Sequence, residues 1–555
     1  MPNPEDRYSN AVLDWNGRPV TVREGMMLKA MDLITDLEGW EMKIMDQTTV
    51  QQWREKFVSA DGQGFSNEMF DFCLAELLEK SRIHKDIGMV RVFDIGATVV
   101  KSDSIISACL REEIRNTIAN ILEIGREKDW NPGSAGTVLN LIDPSLFSFV
   151  YGRSRVQPYG TISLNTCLQT FGLGDVATIP WDDQTKERNL NKRFGWDNSS
   201  VWSPHFQWLP CEVRFTETGV SIESYINNLH PVTQRALYPL IEQVISAAIP
   251  LWSEVLGYMD KFPGNCRLRI DMRNGLKYEE KKSNVDGQGG KRRKLSEKIT
   301  PVMPQPREYQ EGESRCSVDS LRRKFTEDGL QVMVKATNIM LTPEKPEFEG
   351  RDLELDGLLN DRICATAHYY YDCENVTNSY IGFRQKVDTA KLEARCRNYE
   401  NNPKARRRLY CVEHLFNLRD GHPAVQDVGH VSIREGRLLA YPNVFLNKLS
   451  PFSLKDRSKP GHQKVLTLFL VDPHTRVLST ANVPPQRKDW WLDNLSAGEV
   501  FQNLPDDLSP RMVNALDDWS IGIEEARLLR RRLIEEQKTY IRQTLGSVFS
   551  DWFDN

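Results

Sequence analysis

Apolar positions recur every three or four residues in the first 130 residues and mainly alternate after Gln331. Between Thr21 and Met45, Met26, Leu28, Met31, Leu33, Ile34 and Leu37 fall at helical spacing. Phe70, Phe72, Leu74 and Leu77 follow within Ser66 to Lys80, and Ile105, Ile106, Leu110, Ile114, Ile118 and Leu122 within Asp103 to Lys128. These stripes predict a helical region over 1–130 whose apolar faces are core. Ser221 to Asp260 carries the clearest helical pattern, with a long helix over 231–260. It should open at Pro231, since Pro suits a first turn, with His230 in a structural role. Beyond Gln331, short runs separated by Gly or Pro turns read as strands: Val332 to Leu341, Ile363 to Tyr371, Val431 to Ile433, Arg437 to Tyr441, Val444 to Phe452 and Val465 to Val471. Such a series suggests a jelly roll. The fold class expected is α+β, with a helical N-terminal part packed on a C-terminal jelly-roll-like (double-stranded β-helix) domain.

The boundaries follow changes in pattern. Residues 131–324 are mixed and rich in Pro, Gly, Asn and Trp. Their aromatic run Trp202 to Trp208 reads as core or as a stacking surface. Within this region 278–314 is polar, carries Lys291-Arg292-Arg293-Lys294, and reads as a mobile insert. Residues 325–490 form the expected jelly-roll-like catalytic domain. Residues 491–555 form a helical tail, with a helix over Glu524 to Phe549 that carries Arg527, Arg530, Arg531 and Arg532.

Composition adds bounds. The chain has 555 residues, 40% apolar and 27% charged, as in an ordinary globular protein of two to four units. A net charge of −5 gives no global basic field. Ten scattered Cys without metal spacing suggest reduced thiols in a cytoplasmic protein. The start MPNPEDRYSN has no signal-peptide pattern, and no apolar run approaches the ~20 residues of a membrane span, so no membrane partner is expected.

The candidate chemistry centres on Leu353 to Arg384. Glu354 and Asp356, spaced by one, would share a face of a strand. Paired carboxylates there suit a metal, a cationic ligand or acid–base work, or simply a solvated strand end. The next strand alternates so that His368 and Tyr370 face one side and Tyr369 and Tyr371 the other.

Leu353-Glu354-Leu355-Asp356-Gly357, the following Asn360-Asp361-Arg362-Ile363 and the turn Tyr369-Tyr370-Tyr371-Asp372 resemble the signature of a family from filamentous fungi filed as a domain of unknown function. Ser224-Tyr225-Ile226-Asn227-Asn228-Leu229-His230-Pro231 resembles it too, and the resemblance spans roughly 205–260 and 325–490. Typical members read Trp-His-Val-Glu-Gly at the first segment, and the resemblance extends to iron- and 2-oxoglutarate-dependent oxygenases. In those, two His and one carboxylate hold the metal. Here Glu354 replaces the His, Asp356 the Glu, and Asn447, in Tyr441-Pro442-Asn443-Val444-Phe445-Leu446-Asn447, the distal His. Three oxygen donors no longer suit ferrous iron and would suit magnesium or calcium; the reading expects no metal and no cofactor, with a hard metal in place of an organic cation left open.

Some members of the family are arginine-containing cyclodipeptide synthases, which take arginine from its transfer RNA and join it to a second amino acid in a diketopiperazine. The resemblance therefore implies a substrate pocket in which Glu354, Asp356 and Asn447 hold the guanidinium. The partners implied are arginyl-tRNA and a second amino acid, free or as aminoacyl-tRNA. His368 is the candidate base and Tyr370 a candidate oxyanion donor. Lys404, Arg406, Arg407 and Arg408 are the strongest candidates for transfer-RNA phosphate contacts, ahead of Arg322-Arg323-Lys324 and Arg527 to Arg532. The alternatives are an iron/2-oxoglutarate oxygenase-like protein and a non-catalytic member of the fold. The pattern leaves the oligomeric state open.

Overall fold

The computed structural model describes residues 7–59, 64–124, 127–178, 202–261, 269–270, 278–281, 298–313, 320–388, 412–419, 422–497 and 519–543. It combines helices with antiparallel sheet. The N-terminal stripes become Val22–Thr35, Gln47–Phe57, Asn67–Ile87 and Ala108–Ile118. The pattern predicted over Thr21 to Met45 is interrupted: Asp36 caps the first helix, and Gly39, at φ 65°, starts the short turn Trp40–Lys43. Thr21, Asp46, Ser66 and Ser107 cap the four longer helices with side-chain oxygens on free N–H groups.

Among the described residues the largest sheet has ten strands, and its order crosses the boundaries expected at 130/131 and 324/325. Along it lie Val90–Val92, Val99–Ser102, Leu438–Pro442, Ile363–Glu374, Gly461–Val471, Leu330–Leu341, Val138–Ile142 and Asp129–Trp130. Cys211–Phe215 joins at Leu330–Leu341 and carries Val220–Ile222. The region 1–130 is thus not purely helical. Val90–Val92 and Val99–Ser102 are buried at every position, so they show no alternation to reveal them. A second sheet of three strands, Val425–Ser432, Tyr380–Lys386 and Leu446–Leu449, lies over part of the first. The Phe383 ring packs 5.0 Å from that of Tyr441 on the large sheet.

One face of the large sheet is covered by Leu237–Lys261. Val244, Ile245, Leu251 and Leu256 are fully buried against Ala365, Ala367, Tyr369, Leu438, Leu466 and Leu468. Each such aliphatic contributes roughly 1.5–3 kcal/mol. Contrary to the sequence reading, this helix is long and apolar enough to cross a membrane by length and composition alone. Yet most of its apolar stretch is buried inside the protein, which is compatible with a soluble chain. The helix begins at Leu237, not Pro231. Residues 231–236 are spent in turns, in which His230 Nδ1 accepts from the N–H groups of Val232 and Thr233.

The insert expected to be mobile over 278–314 is partly anchored. Tyr278–Lys281 pairs with Lys298–Pro301, and Tyr309 donates its hydroxyl to Glu79. Arg23 donates to the carbonyls of Met303 and Pro304. The cluster Lys291 to Lys294 lies outside the described residues. The tail helix runs Ile523–Gln543 in the described part. Its Arg530 is 3% exposed and grips Asp129 at 2.5 and 2.8 Å and Asp143 at 3.2 Å.

Candidate functional site between the two sheets

Alternation assigns the other face of the large sheet. Val334, Ala336, Ala367, Tyr369, Tyr371, Leu466 and Leu468 belong to the core under the long helix. Lys335, Thr366, His368, Tyr370, Thr467 and Tyr441 therefore project from the opposite face. Cross-strand register aligns Lys335 with Thr467 and Thr467 with His368 in one row. Thr366 and Tyr441 are opposite each other in the adjacent row.

Glu354 does not lie in a regular strand. It makes an isolated bridge to Asn447, with N–H to O distances of 2.9 Å in both directions. Two residues on, Asn443 clamps the backbone of Asp356: Asp356 N–H donates to Asn443 Oδ1 at 3.2 Å, and Asn443 Nδ2 returns to the Asp356 carbonyl at 2.9 Å. Gly357 then turns the chain at φ 71°, where a Cβ would lie 2.7 Å from Ile363 Cδ1. This fixes Asp356 facing inward. Its Oδ2 accepts from Thr366 Oγ1 at 2.7 Å and Tyr441 Oη at 3.1 Å, and Asn447 Nδ2 is 3.5 Å from its Oδ1. Glu354 stays at the rim, 36% exposed and 3.6 Å from Arg351.

The structure thus brings Glu354, Asp356, Asn447 and His368 together, with the Tyr370 ring centroid 6.1 Å from that of His368. Burial, reinforced by the Glu354 charge, pushes the Asp356 carboxyl up to about 6, against the opposing hydrogen bonds and the Lys335 charge. His368 moves the other way. Burial, then the cations Arg351 and Lys335, lower it to about 3. Both ring nitrogens are engaged, Nδ1 with Thr467 Oγ1 at 2.8 Å and Nε2 with Tyr441 Oη at 2.9 Å. An imidazole so weakly basic is a poor proton acceptor, which speaks against the base role expected of it. Asp356 has the better-matched acidity. Burial also raises the Tyr370 hydroxyl, so it is a neutral donor.

Sequence reasoning missed Thr366, Tyr441, Thr467, Lys335, Arg351 and Asn443. The available signal was polar residues at inner positions of otherwise apolar strands. Lys404, Arg406, Arg407 and Arg408 lie outside the described residues. Of the other basic runs, Arg322 is used on the carbonyls of Thr216 and Gly219 and the ring of Phe215. Arg530 is buried in its ion pairs, so it presents no phosphate contact. Arg323 and Lys324 remain exposed.

The donor set does not fit a facial triad of two imidazoles and one carboxylate. Among the described residues, no group of three or more His, Cys, Asp or Glu side chains is placed to hold a metal ion.

The fold and site define a protein of mixed helix and antiparallel sheet with a half-buried, inward-facing acid between two sheets. Residues 67–494 match the family described as "Protein of unknown function (DUF4246)", and residues 1–56 match "Domain of unknown function DUF4246, N-terminal". The chain belongs to the DUF4246 family. A comparison with curated proteins finds no match. Among solved structures, IDO from Bacillus thuringiensis is similar at 8% identity and a TM-score of 0.16, over 26% of this chain and 46% of that one. The Fe(II)/(alpha)ketoglutarate-dependent dioxygenase TqaL is similar at 17% identity and a TM-score of 0.17, over 31% and 52%. The chain spans about half the length of each of these structures.

Proposed function

We propose that the two sheets form a jelly roll whose inner hollow has exchanged metal chemistry for aminoacyl transfer, and that the protein is an arginine-containing cyclodipeptide synthase. The observation that carries this reading is Asp356, an inward-facing carboxyl with acidity near neutrality beside Glu354 and Asn447. Acceptor oxygens at that end suit a guanidinium, which is planar and always charged. An aminoacyl ester is already activated, so alignment and proton transfer are the main requirements.

In the first step the amine of the second amino acid attacks the arginyl ester carbonyl. An amide forms, and the transfer-RNA ribose hydroxyl leaves with the proton that the attacking amine gives up. Ring closure repeats this chemistry with the arginyl amine on the second carbonyl. That step needs a leaving group there too, so the balanced route carries both amino acids as esters. Tyr370 donates toward the oxyanion. The run Lys404, Arg406, Arg407 and Arg408 supplies phosphate contacts.

The test is a reconstituted reaction of protein, ATP, amino acids, transfer RNA and synthetases, read by mass spectrometry with and without ribonuclease. A ribonuclease-sensitive diketopiperazine containing arginine is expected, and its loss in both Glu354→Ala and Asp356→Ala. Absence of any such product, or full arginine use by both variants, overturns the reading.

A further inference from the structure

Beside the acid set, the inner face carries a second group, of which the reading above uses only Tyr370. Lys335 and Thr337 are two apart on one strand and so share that face. In register, Lys335 aligns through Thr467 with His368, and Thr337 through Val465 with Tyr370. The two columns are separated by two strand spacings, about 10 Å, with Thr467 and Val465 of the intervening strand between them.

The polar atoms here are donors left without acceptors. Lys335 is half-buried, and among the described residues its ammonium touches no carboxylate, although Asp143 and Asp356 feel its charge. Thr337 Oγ1 is buried with no hydrogen-bond partner among the described residues. The Tyr370 hydroxyl has none among the described residues either. A buried hydroxyl left unpaired costs about 1–3 kcal/mol, so such a group signals a missing acceptor. Arg351 adds a second positive charge felt by both His368 and Tyr370.

We propose that Lys335, Thr337 and Tyr370 form an anion-binding subsite that takes the carboxyl end of an amino acid, either as a free carboxylate or as the acyl oxygen of its ester. The inner face of the sheet is then polarised, with acceptors at Asp356 and Glu354 and donors at Lys335, and an amino acid with a cationic side chain spans it. The single ammonium and two hydroxyls match a carboxyl group better than a phosphate dianion. The arginine part of this assignment rests on the function proposed above, whereas the subsite itself does not.

The test is calorimetric titration of the full-length protein with L-arginine, agmatine, which has the guanidinium but no carboxyl group, and L-arginine methyl ester. The proteins are wild type, Lys335→Met, Thr337→Val and Asp356→Asn. L-arginine should bind about tenfold more tightly than agmatine. Lys335→Met should erase that preference and Thr337→Val reduce it, while Asp356→Asn weakens both ligands alike. A methyl ester that follows L-arginine supports the acyl oxygen as the recognised group, and one that follows agmatine supports the charged carboxylate. Equal binding of L-arginine and agmatine to wild type, or a preference that survives Lys335→Met, overturns the subsite. If neither guanidine compound binds, the arginine reading fails and succinate decides the subsite. Binding of succinate that Lys335→Met abolishes sustains it, and no binding overturns it.

Discussion

The Tyr441 hydroxyl donates to Asp356 Oδ2 at 3.1 Å. With its proton committed there, the same oxygen accepts from His368 Nε2 at 2.9 Å. This places the imidazole proton on Nε2 and leaves Nδ1 to accept from Thr467 Oγ1 at 2.8 Å. The chain Thr467–His368–Tyr441–Asp356 therefore has one consistent direction while Asp356 is ionised. Protonation of Asp356 removes the acceptor at its end.

Asp356 makes the wild type pH-sensitive. Its folded carboxyl titrates at about 6 against an ordinary 3.8. Between those values the folded protein holds a proton that the unfolded chain has released, so stability falls as pH rises through the window. The deficit is complete once both states are ionised, and is on the order of 2 kcal/mol after allowance for partial solvent access. Asp356→Asn keeps an acceptor for Thr366 and removes the titration. Urea denaturation should find the variant more stable than wild type by on the order of 2 kcal/mol at about pH 8, with the advantage gone near pH 4. The difference between variant and wild type isolates Asp356 from Asp361, which burial also raises to about 6. A constant offset across pH would show that Asp356 is not the titrating group.

His368 should stay neutral through the physiological range. Its two nitrogens are satisfied by neutral hydroxyls, and burial and neighbouring cations hold it at about 3. Nitrogen NMR of the imidazole should show one fixed tautomer, protonated at Nε2, with no titration between about pH 5 and 8. Titration near the ordinary imidazole value would break the relay as drawn.

How much of this was legible in the sequence depends on where the information sits. The helices of the first region were legible because a 3.6-residue stripe is local. The long strands around Val334, Tyr369 and Leu468 were legible because they alternate or run apolar. Sheet order was not, since Val99–Ser102 pairs with Leu438–Pro442 from far along the chain. The same limit divides the site. Glu354, Asp356, Asn447 and His368 stand in short motifs. Thr366, Tyr441, Thr467 and Lys335 acquire roles only when register sets their strands side by side. The inward placement of Asp356 depends on Asn443 and Gly357, whose part follows from a bridge rather than from strand alternation.

Tyr441→Phe tests the Asp356 environment without touching the carboxyl. Losing the phenol removes a hydrogen bond that favours the ionised acid and leaves burial unopposed at that position. The ionised form is the one that holds the guanidinium in the proposed reaction. The rising limb of the pH–rate profile should therefore move to higher pH in Tyr441→Phe, with the rate at high pH reduced less than the rate near pH 6. An unmoved limb would assign the profile to another group.

Arg530 provides the last test, which separates architecture from transfer-RNA binding. Its guanidinium is 3% exposed and joins the tail helix to Asp129 and Asp143. Asp143 is itself buried, and its carboxyl lies below the ordinary value: burial alone would raise it, but the Lys335 and Arg530 charges and Ser145 hydrogen bonds prevail. Arg530→Met keeps the apolar stem and strands two acids near the sheet edge. Removing one partner of a buried ion pair typically costs about 3–5 kcal/mol, because the remaining charge is left uncompensated. Urea denaturation should show a loss of about 3 kcal/mol, and hydrogen exchange should accelerate first in Ile523–Gln543. Because Arg530 is occupied internally, transfer-RNA affinity and its salt dependence should match wild type under conditions where the variant remains folded. Neutralising Lys404, Arg406, Arg407 and Arg408 together should instead weaken binding and flatten its salt dependence. A salt slope that changes in Arg530→Met but not in the fourfold variant would move the nucleic-acid surface to the tail helix and away from the 404–408 run.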